Sequence, residues 1–414
     1  MVERTAHLVD HVFPAVAVRQ WVLSLPPRLR YLLAWDHELC RAVVAVFVRA
    51  VLGFLRVRAR RTGVADGRGG AVAILQRFGA ALNLNVHVHA LVLDGVFERT
   101  PTGRMVFHRA PALSEAEVAT VLESARRRID RLLQRRGLGD DEDVCAPDRW
   151  AEEAPVLAGI GAASVQGRIA CGPRGGAGLR RMGEVGTEGA ATPSPRAHAR
   201  SHGFDLHAGV VAPAEHRHRL ERLCRYALRP PIAEERLRMT AYGLVALTLR
   251  HPWSDGTTHV LFEPLELLER LAVITPRPRV NLILYHGVLG PRAAWRTDVV
   301  RRTGTAAATE ERCDADPGGA GHARDPTRPD TRSPSWAELM RRGFGFDVLV
   351  CPRCGQRMRL IALIDQAAVV GRILHHLGLP TEVPEPAPAR APPCLPPLLD
   401  AYDQTDEPAV DSSC

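Results

Sequence analysis

Asn83-Leu84-Asn85-Val86-His87-Val88-His89-Ala90-Leu91-Val92-Leu93 is apolar on both faces of a period-two pattern, the mark of a strand covered on each side. Two histidines in the middle of such a strand need a reason. Successive side chains alternate, so His87 and His89 leave the same face about 7 Å apart at the backbone, near enough for both imidazoles to reach one cation. The pattern also admits two core histidines hydrogen-bonded to their neighbours, and His-x-His strands occur in hydrolytic metalloenzymes, so the reading needs a nucleophile beside it.

Working outward, residues 71–76 form a second strand-like run, Asp94-Gly95 signals a turn, and residues 106–108 read as a returning strand. An apolar helical pattern runs from 30 to about 60. A helix over 114–136 opens on Ser114-Glu115-Ala116-Glu117, which has the form of a capping box. Residues 138–203 turn to Gly, Ala, Arg and acidic residues with little periodicity and read as a flexible insertion. Beyond it come a strand over 204–211, a helix over 214–228 ended by Pro230-Pro231, strand-like runs at 243–250 and 257–262, and a helix near Pro264. The expected organisation is a helix and histidine-bearing sheet in 1–137, the insertion 138–203, and a tyrosine-helix part in 204–302. A linker over 303–334, a small module over 335–380 and a Pro-rich disordered tail over 381–414 complete it.

Composition sets the bounds. At 414 residues and 46% hydrophobic, the chain can fill the cores of two or three domains. A net charge of +8 and a pI near 9.3 would favour a polyanionic partner. All 54 basic residues are arginine, however, which looks like GC-rich codon choice and lowers the weight of the overall charge. The nine cysteines are scattered and odd in number, which argues against a disulfide scaffold and for a reducing cytoplasm. The longest apolar stretch, residues 42–55, is interrupted by Arg49 and too short to span a bilayer, and the N-terminus lacks a signal-peptide pattern; no membrane partner is expected.

The helix before Pro230 supplies a nucleophile. Leu220, Leu223, Cys224, Ala227 and Leu228 form its buried stripe, while Arg222, Arg225, Tyr226 and Arg229 fall together on the other side. A phenol ionises near pH 10 and attacks poorly at neutral pH unless cations or a metal favour the phenolate. Arginines also clamp phosphates bidentately, so a tyrosine among them suits attack on a DNA phosphate. The bland alternative is a surface tyrosine beside solvated arginines.

Gln76-Arg77-Phe78-Gly79, the His-Val-His strand, and Leu223-Cys224-Arg225-Tyr226-Ala227-Leu228-Arg229-Pro230-Pro231 together resemble the transposases of the insertion-sequence-91 family, which are His-hydrophobe-His endonucleases. The resemblance covers roughly residues 5–300, with further similarity in 336–379. It implies an α+β fold whose antiparallel sheet carries the histidines, with the nucleophilic helix packed beside it. It implies rolling-circle transposition on single-stranded element ends and target DNA, Mg²⁺ or Mn²⁺ on His87 and His89, and a 5′-phosphotyrosine on Tyr226. Gln76 is the candidate third ligand, matching the family's Gln before Phe-Gly, and Arg222, Arg225 and Arg229 are the candidate DNA contacts. His207 falls on a recurring family position and is a candidate phosphate contact. A homodimer is compatible with this chemistry.

Two departures stand out. Many relatives carry a second tyrosine one turn earlier, where this chain has Arg222, so a second strand transfer would call on resetting, another molecule, or another residue such as Tyr242 or Tyr285. Relatives also carry an upstream cysteine-rich zinc domain, which the resemblance implies is lacking here. At the other end Cys351-Pro-Arg-Cys354-Gly355 has the form of one zinc knuckle, but a tetrahedral Zn²⁺ site needs two more ligands, and His375, His376 and Cys394 are poorly spaced to supply them. The alternatives are a plasmid replication initiator or relaxase with the same chemistry, a DNA-binding remnant without catalysis, and a His-x-His metallohydrolase that would survive loss of Tyr226.

Overall fold

The computed structural model describes residues 1–139, 148–183, 197–300, 335–359, 364 and 366–381. In chain order its elements are α1 Val2–His11, β1 Val18–Ser24, α2 Pro27–Trp35, α3 His37–Arg61, β2 Gly70–Phe78, β3 Leu84–Leu93, β4 Gly95–Arg99, β5 Met105–Arg109 and α4 Glu115–Arg135. There follow α5 Arg149–Glu153, α6 Pro155–Val165, β6 Arg180–Gly183, β7 His198–Ser201, β8 Phe204–His207, β9 Val211–Ala212 and α7 Arg217–Ala227. Then come β10 Leu237–Met239, β11 Val245–Thr248, β12 Thr257–Phe262, α8 Pro264–Ile274, β13 Ile283–Gly287, α9 Arg296–Val300, α10 Trp336–Phe344 and α11 Ala367–His376.

The fold is α+β, as expected. Its principal sheet has the order β13-β2-β3-β1-β8-β7, with β9 also on β1, and every pairing is antiparallel. A four-stranded sheet, β10-β11-β12-β6, and the β4-β5 hairpin accompany it. β3 is buried along its whole length, which explains its two-faced apolar pattern. Val86, Val88, Ala90 and Val92 point into a core shared with Trp21, Leu23, Ala73, Leu75 and the apolar sides of α2, α3 and α4. Leu91 and Leu93 point the other way, into a second core with Val18, Val72, Ile74, Phe13 and the buried stripe of α7, Leu220, Leu223, Cys224 and Ala227. His87 and His89 lie on this second face.

Local chemistry sets the boundaries. The helical pattern over 30–60 is two helices, because the Asp36 carboxylate accepts from the Leu39 amide at 2.8 Å and starts α3 anew. Ser114 and Glu117 form the anticipated capping box on α4. The strand over 204–211 is broken into β8 and β9, and β7 joins β8 through His202 and Gly203, both with positive φ as a two-residue type I′ connection requires.

Residues 18–24 were not foreseen as a strand and stand at the centre of the sheet. Residues 148–183, inside the stretch read as a flexible insertion, carry α5, α6 and β6 and pack on the core. Trp150 is buried there, stacked on Trp35 with ring centroids 5.3 Å apart. Gly161 of α6 lies against that indole, and a Cβ would come within 2.4 Å of it. Small residues on α6 are thus a packing requirement, and they erase the periodicity that marks a helix in sequence. Among the described residues no helix is long and apolar enough to cross a membrane.

Candidate active site

The register of the principal sheet lines up a polar row. Gln76 on β2 faces His87 on β3, and His87 faces Ser24 on β1, which faces Asp205 on β8. In the neighbouring row Ile74 faces His89, and Val22 pairs with both His89 and His207. Directly opposed residues share a face, so Gln76, His87, His89 and His207 all lie on the α7 side. Strands are about 4.8 Å apart, which places the His207 backbone about 10 Å from that of His89.

The two imidazoles have ring centroids 4.9 Å apart. His87 Nδ1 donates to the Asn85 carbonyl at 2.9 Å, which leaves Nε2 with its lone pair. His89 Nδ1 is 2.7 Å from the carboxamide of Gln20 on β1. A carboxamide can present either end, and with its oxygen accepting from Nδ1–H it would leave the lone pair on Nε2. That Nε2 is buried without a hydrogen-bond partner. Burial holds the His87 pKa down at about 4, against the opposing effect of the Asn85 carbonyl and with Arg229 and Arg30 adding to the depression. Burial, then His87 and Arg229, holds His89 well below its ordinary value. Both rings are neutral at physiological pH, the state in which imidazole binds metal.

Gln76 joins sheet and helix. Its Nε2 donates to the backbone carbonyls of Ala227 at 2.8 Å and Tyr226 at 3.3 Å, at the C-terminal end of α7, while its Oε1 is buried with no hydrogen-bond partner. Buried polar atoms left unpaired cost about 1–3 kcal/mol each. Two such atoms, Gln76 Oε1 and His89 Nε2, belong to residues that share one face, and an oxygen with imidazole nitrogens is a donor set compatible with Mn²⁺ or Mg²⁺. Among the described residues no group of three or more His, Cys, Asp or Glu is placed to hold a metal, so the third protein donor here would be a carboxamide.

Tyr226 meets this pair. Its ring stands edge-on to His89, with centroids 5.6 Å apart and planes at 83°, and the Arg229 guanidinium lies 4.3 Å from the tyrosine centroid. The four residues grouped by the helical wheel are divided here. Tyr226 and Arg229 turn to the histidines, whereas Arg225 donates to Glu221 on its own helix and to the carbonyl of Arg342. Arg222 is half-buried one turn before Tyr226.

Residues 70–295 match the family model described as "Putative transposase". The chain belongs to this transposase family. The match spans β2 to Trp295 and takes in Gln76, His87, His89, His207, Arg222, Arg225, Tyr226 and Arg229, while β1 and the two C-terminal cysteines lie outside it. Membership makes the protein a DNA-binding enzyme of transposition that cleaves and transfers strands. No curated protein and no solved structure matches the chain.

The remaining candidates sit elsewhere. His207 is partly buried, its pKa lowered by that burial and by His198, whose ring is 6.3 Å away and whose Nε2 pairs with Asp205 at 2.7 Å. Tyr242 is exposed in the turn joining β10 to β11, and Tyr285 lies in β13 opposite Val72. Cys351 and Cys354 occupy a tight turn in which the Gly355 amide donates to the Cys351 carbonyl at 2.9 Å. His375 and His376 end α11, and Cys394 lies outside the described residues.

Sequence reasoning missed Gln20. It sits in an unrecognised strand, and its partner is 69 residues away. Nothing local in the sequence marks it.

Proposed function

We propose that this transposase nicks and rejoins single-stranded DNA at the ends of an insertion sequence, with Tyr226 as nucleophile. The observation that carries the reading is the edge-on contact of Tyr226 with His89, beside a second neutral histidine on the same sheet face. A tyrosine on an arginine-rich helix has many uses, but one pressed against a buried histidine whose Nε2 has no hydrogen-bond partner, with a second histidine beside it, has few. The resemblance to the insertion-sequence-91 transposases points to the same residues.

In this reading the Tyr226 oxygen attacks phosphorus in line with the 3′ oxygen. The new bond joins the phenolic oxygen to phosphorus and the P–O3′ bond breaks. The tyrosine gives up its proton, and the departing 3′ oxygen ends as a hydroxyl. The 5′ end remains on the enzyme as a phosphotyrosine, and a later 3′ hydroxyl reverses the step to rejoin the strands, so no nucleotide hydrolysis is needed. His87, His89 and Gln76 would hold Mg²⁺ or Mn²⁺, whose chemistry is to draw charge from the non-bridging phosphate oxygens. Gln20 and the Asn85 carbonyl orient the imidazoles, and Gln76 fixes the end of α7 so that the phenol faces them. Arg229 brings positive charge to the same place.

The test is covalent capture. Purified protein, Mn²⁺ and single-stranded DNA spanning the element's ends are expected to give an adduct stable on a denaturing gel, absent in Tyr226→Phe and in the His87→Ala/His89→Ala double variant. Persistence in Tyr226→Phe would move the nucleophile elsewhere. Sequence-selective DNA binding by a folded wild-type protein that forms no adduct would identify a binding remnant.

A further inference from the structure

Helix α10 lies outside the matched residues 70–295, yet it packs on α1 and reaches α7, the helix that carries Tyr226. Arg342 in its last turn makes the connection. Its two terminal nitrogens donate to the Asp10 carboxylate of α1 at 2.5 and 2.9 Å, and its Nε is 3.6 Å from Glu221 of α7. Its backbone carbonyl accepts from Arg225 of α7 at 2.8 Å, and that arginine is paired with Glu221 at 3.2 Å. The next residue, Gly343, is so close to Val2 that a Cβ would stand 3.0 Å from it. One residue thus holds α1 by its side chain and α7 by both side chain and carbonyl.

The other sides of α7 are already fixed. Its apolar stripe is seated on the sheet, Arg217 at its start donates to the carbonyls of Val9, Phe13 and Pro14, and Gln76 holds its last carbonyls. The Arg342 contact acts on the flank that these leave, at Arg225, the immediate neighbour of Tyr226. What it opposes is rotation of α7 about its own axis. A group about 6 Å from a helix axis moves about 1 Å for a rotation of about 10°, and a misplacement of about 1 Å at a reacting centre can cost about 100-fold in rate.

We propose that Arg342 is a positioning residue for Tyr226, fixing the rotational setting of α7 through Arg225, Glu221 and Asp10. This rests on the reading of Tyr226 as nucleophile. It also assigns Arg225 to holding its own helix in place and leaves the phosphate to Arg229.

The experiment compares full-length wild type with Arg342→Ala, Asp10→Asn and the conservative Arg342→Lys. Peptide-resolved hydrogen–deuterium exchange reads α7, and single-turnover adduct formation at saturating single-stranded DNA reads the chemistry. Arg342→Ala and Asp10→Asn are expected to exchange faster over residues 221–227. They should lose about tenfold or more in adduct rate with DNA affinity within about twofold, and Arg342→Lys, which keeps a cation beside Asp10 and Glu221, should retain much of the rate. Unchanged exchange in α7 with an unchanged rate overturns the proposal. So does a loss confined to DNA affinity, which would make Arg342 a DNA contact. Asp10→Asn, which breaks the same pair from α1, keeps the question open to measurement if Arg342→Ala does not fold. A wild-type protein that forms no adduct sinks the nucleophile reading and the positioning role with it, while the exchange data still show whether Arg342 restrains α7.

Discussion

Gln76 on β2 donates to the backbone carbonyl of Tyr226 at 3.3 Å and of Ala227 at 2.8 Å, so the strand beside the histidines holds the end of the tyrosine helix directly. This joins the strand and the helix, through residues 150 apart in sequence, by something firmer than apolar packing. Gln76→Ala would leave both carbonyls without this buried donor. Urea unfolding is expected to show a loss of about 1–3 kcal/mol. Adduct formation should fall further than the remaining folded fraction accounts for, and equal losses in the two measurements would reduce Gln76 to a structural role.

Gln20 orients His89 from the neighbouring strand. Removing such a partner weakens metal binding or activity by about 10–100-fold while the ligands themselves remain. Gln20→Ala is therefore expected to raise the Mn²⁺ dissociation constant by that factor, read by electron paramagnetic resonance titration. An unaltered Mn²⁺ affinity would mean that the imidazole is held by packing alone.

Arg19 and Asp94 form a buried bidentate pair at 2.8 and 3.0 Å, with Arg19 also donating to the Ala208 carbonyl at 2.9 Å. Taking away one member strands the other, at a cost of about 3–5 kcal/mol. Asp94→Ala should unfold at markedly lower urea. Arg19→Met combined with Asp94→Leu should recover a large part of the loss, and equal destabilisation of the single and double variants would argue against a stranded charge.

Burial pushes the Cys40 thiol up to about 12 and that of Cys224 further still. At pH 8 neither carries an appreciable thiolate fraction, and it is the thiolate that reacts. Peptide-resolved alkylation should leave both unmodified in the native protein and label both in denaturant, while the exposed Cys354 reacts from the start. Rapid native labelling of Cys224 would show that α7 lifts from the sheet.

How much of this was legible depended on where each residue finds its partner. The His-Val-His strand and the apolar stripe of α7 announce themselves because their periodicity is local. The capping box on α4 is equally local, with all its atoms inside four residues. β1 was opaque for the opposite reason. Its Arg19 and Gln20 look like surface residues until Asp94 and His89, 75 and 69 residues away, bury them. The helix α6 escaped because its alanines and glycines fit around Trp150 and leave no apolar stripe. The wheel put Arg225 and Arg229 together, and only the fold separates the one that meets Arg342 from the one that lies over Tyr226.

The placement of β1 has a consequence for how this enzyme can be dissected. The matched segment begins at residue 70, yet the strand between β3 and β8 comes from residues 18–24. A fragment cut at the matched boundaries would keep both histidines and the tyrosine but divide the sheet in two. It would expose two raw, apolar strand edges, each a template for another chain. The inheritable motif and the autonomous folding unit therefore have different borders. Recombinant pieces meant to report on the chemistry have to start upstream of Val18, or insoluble aggregates will be mistaken for a dead enzyme.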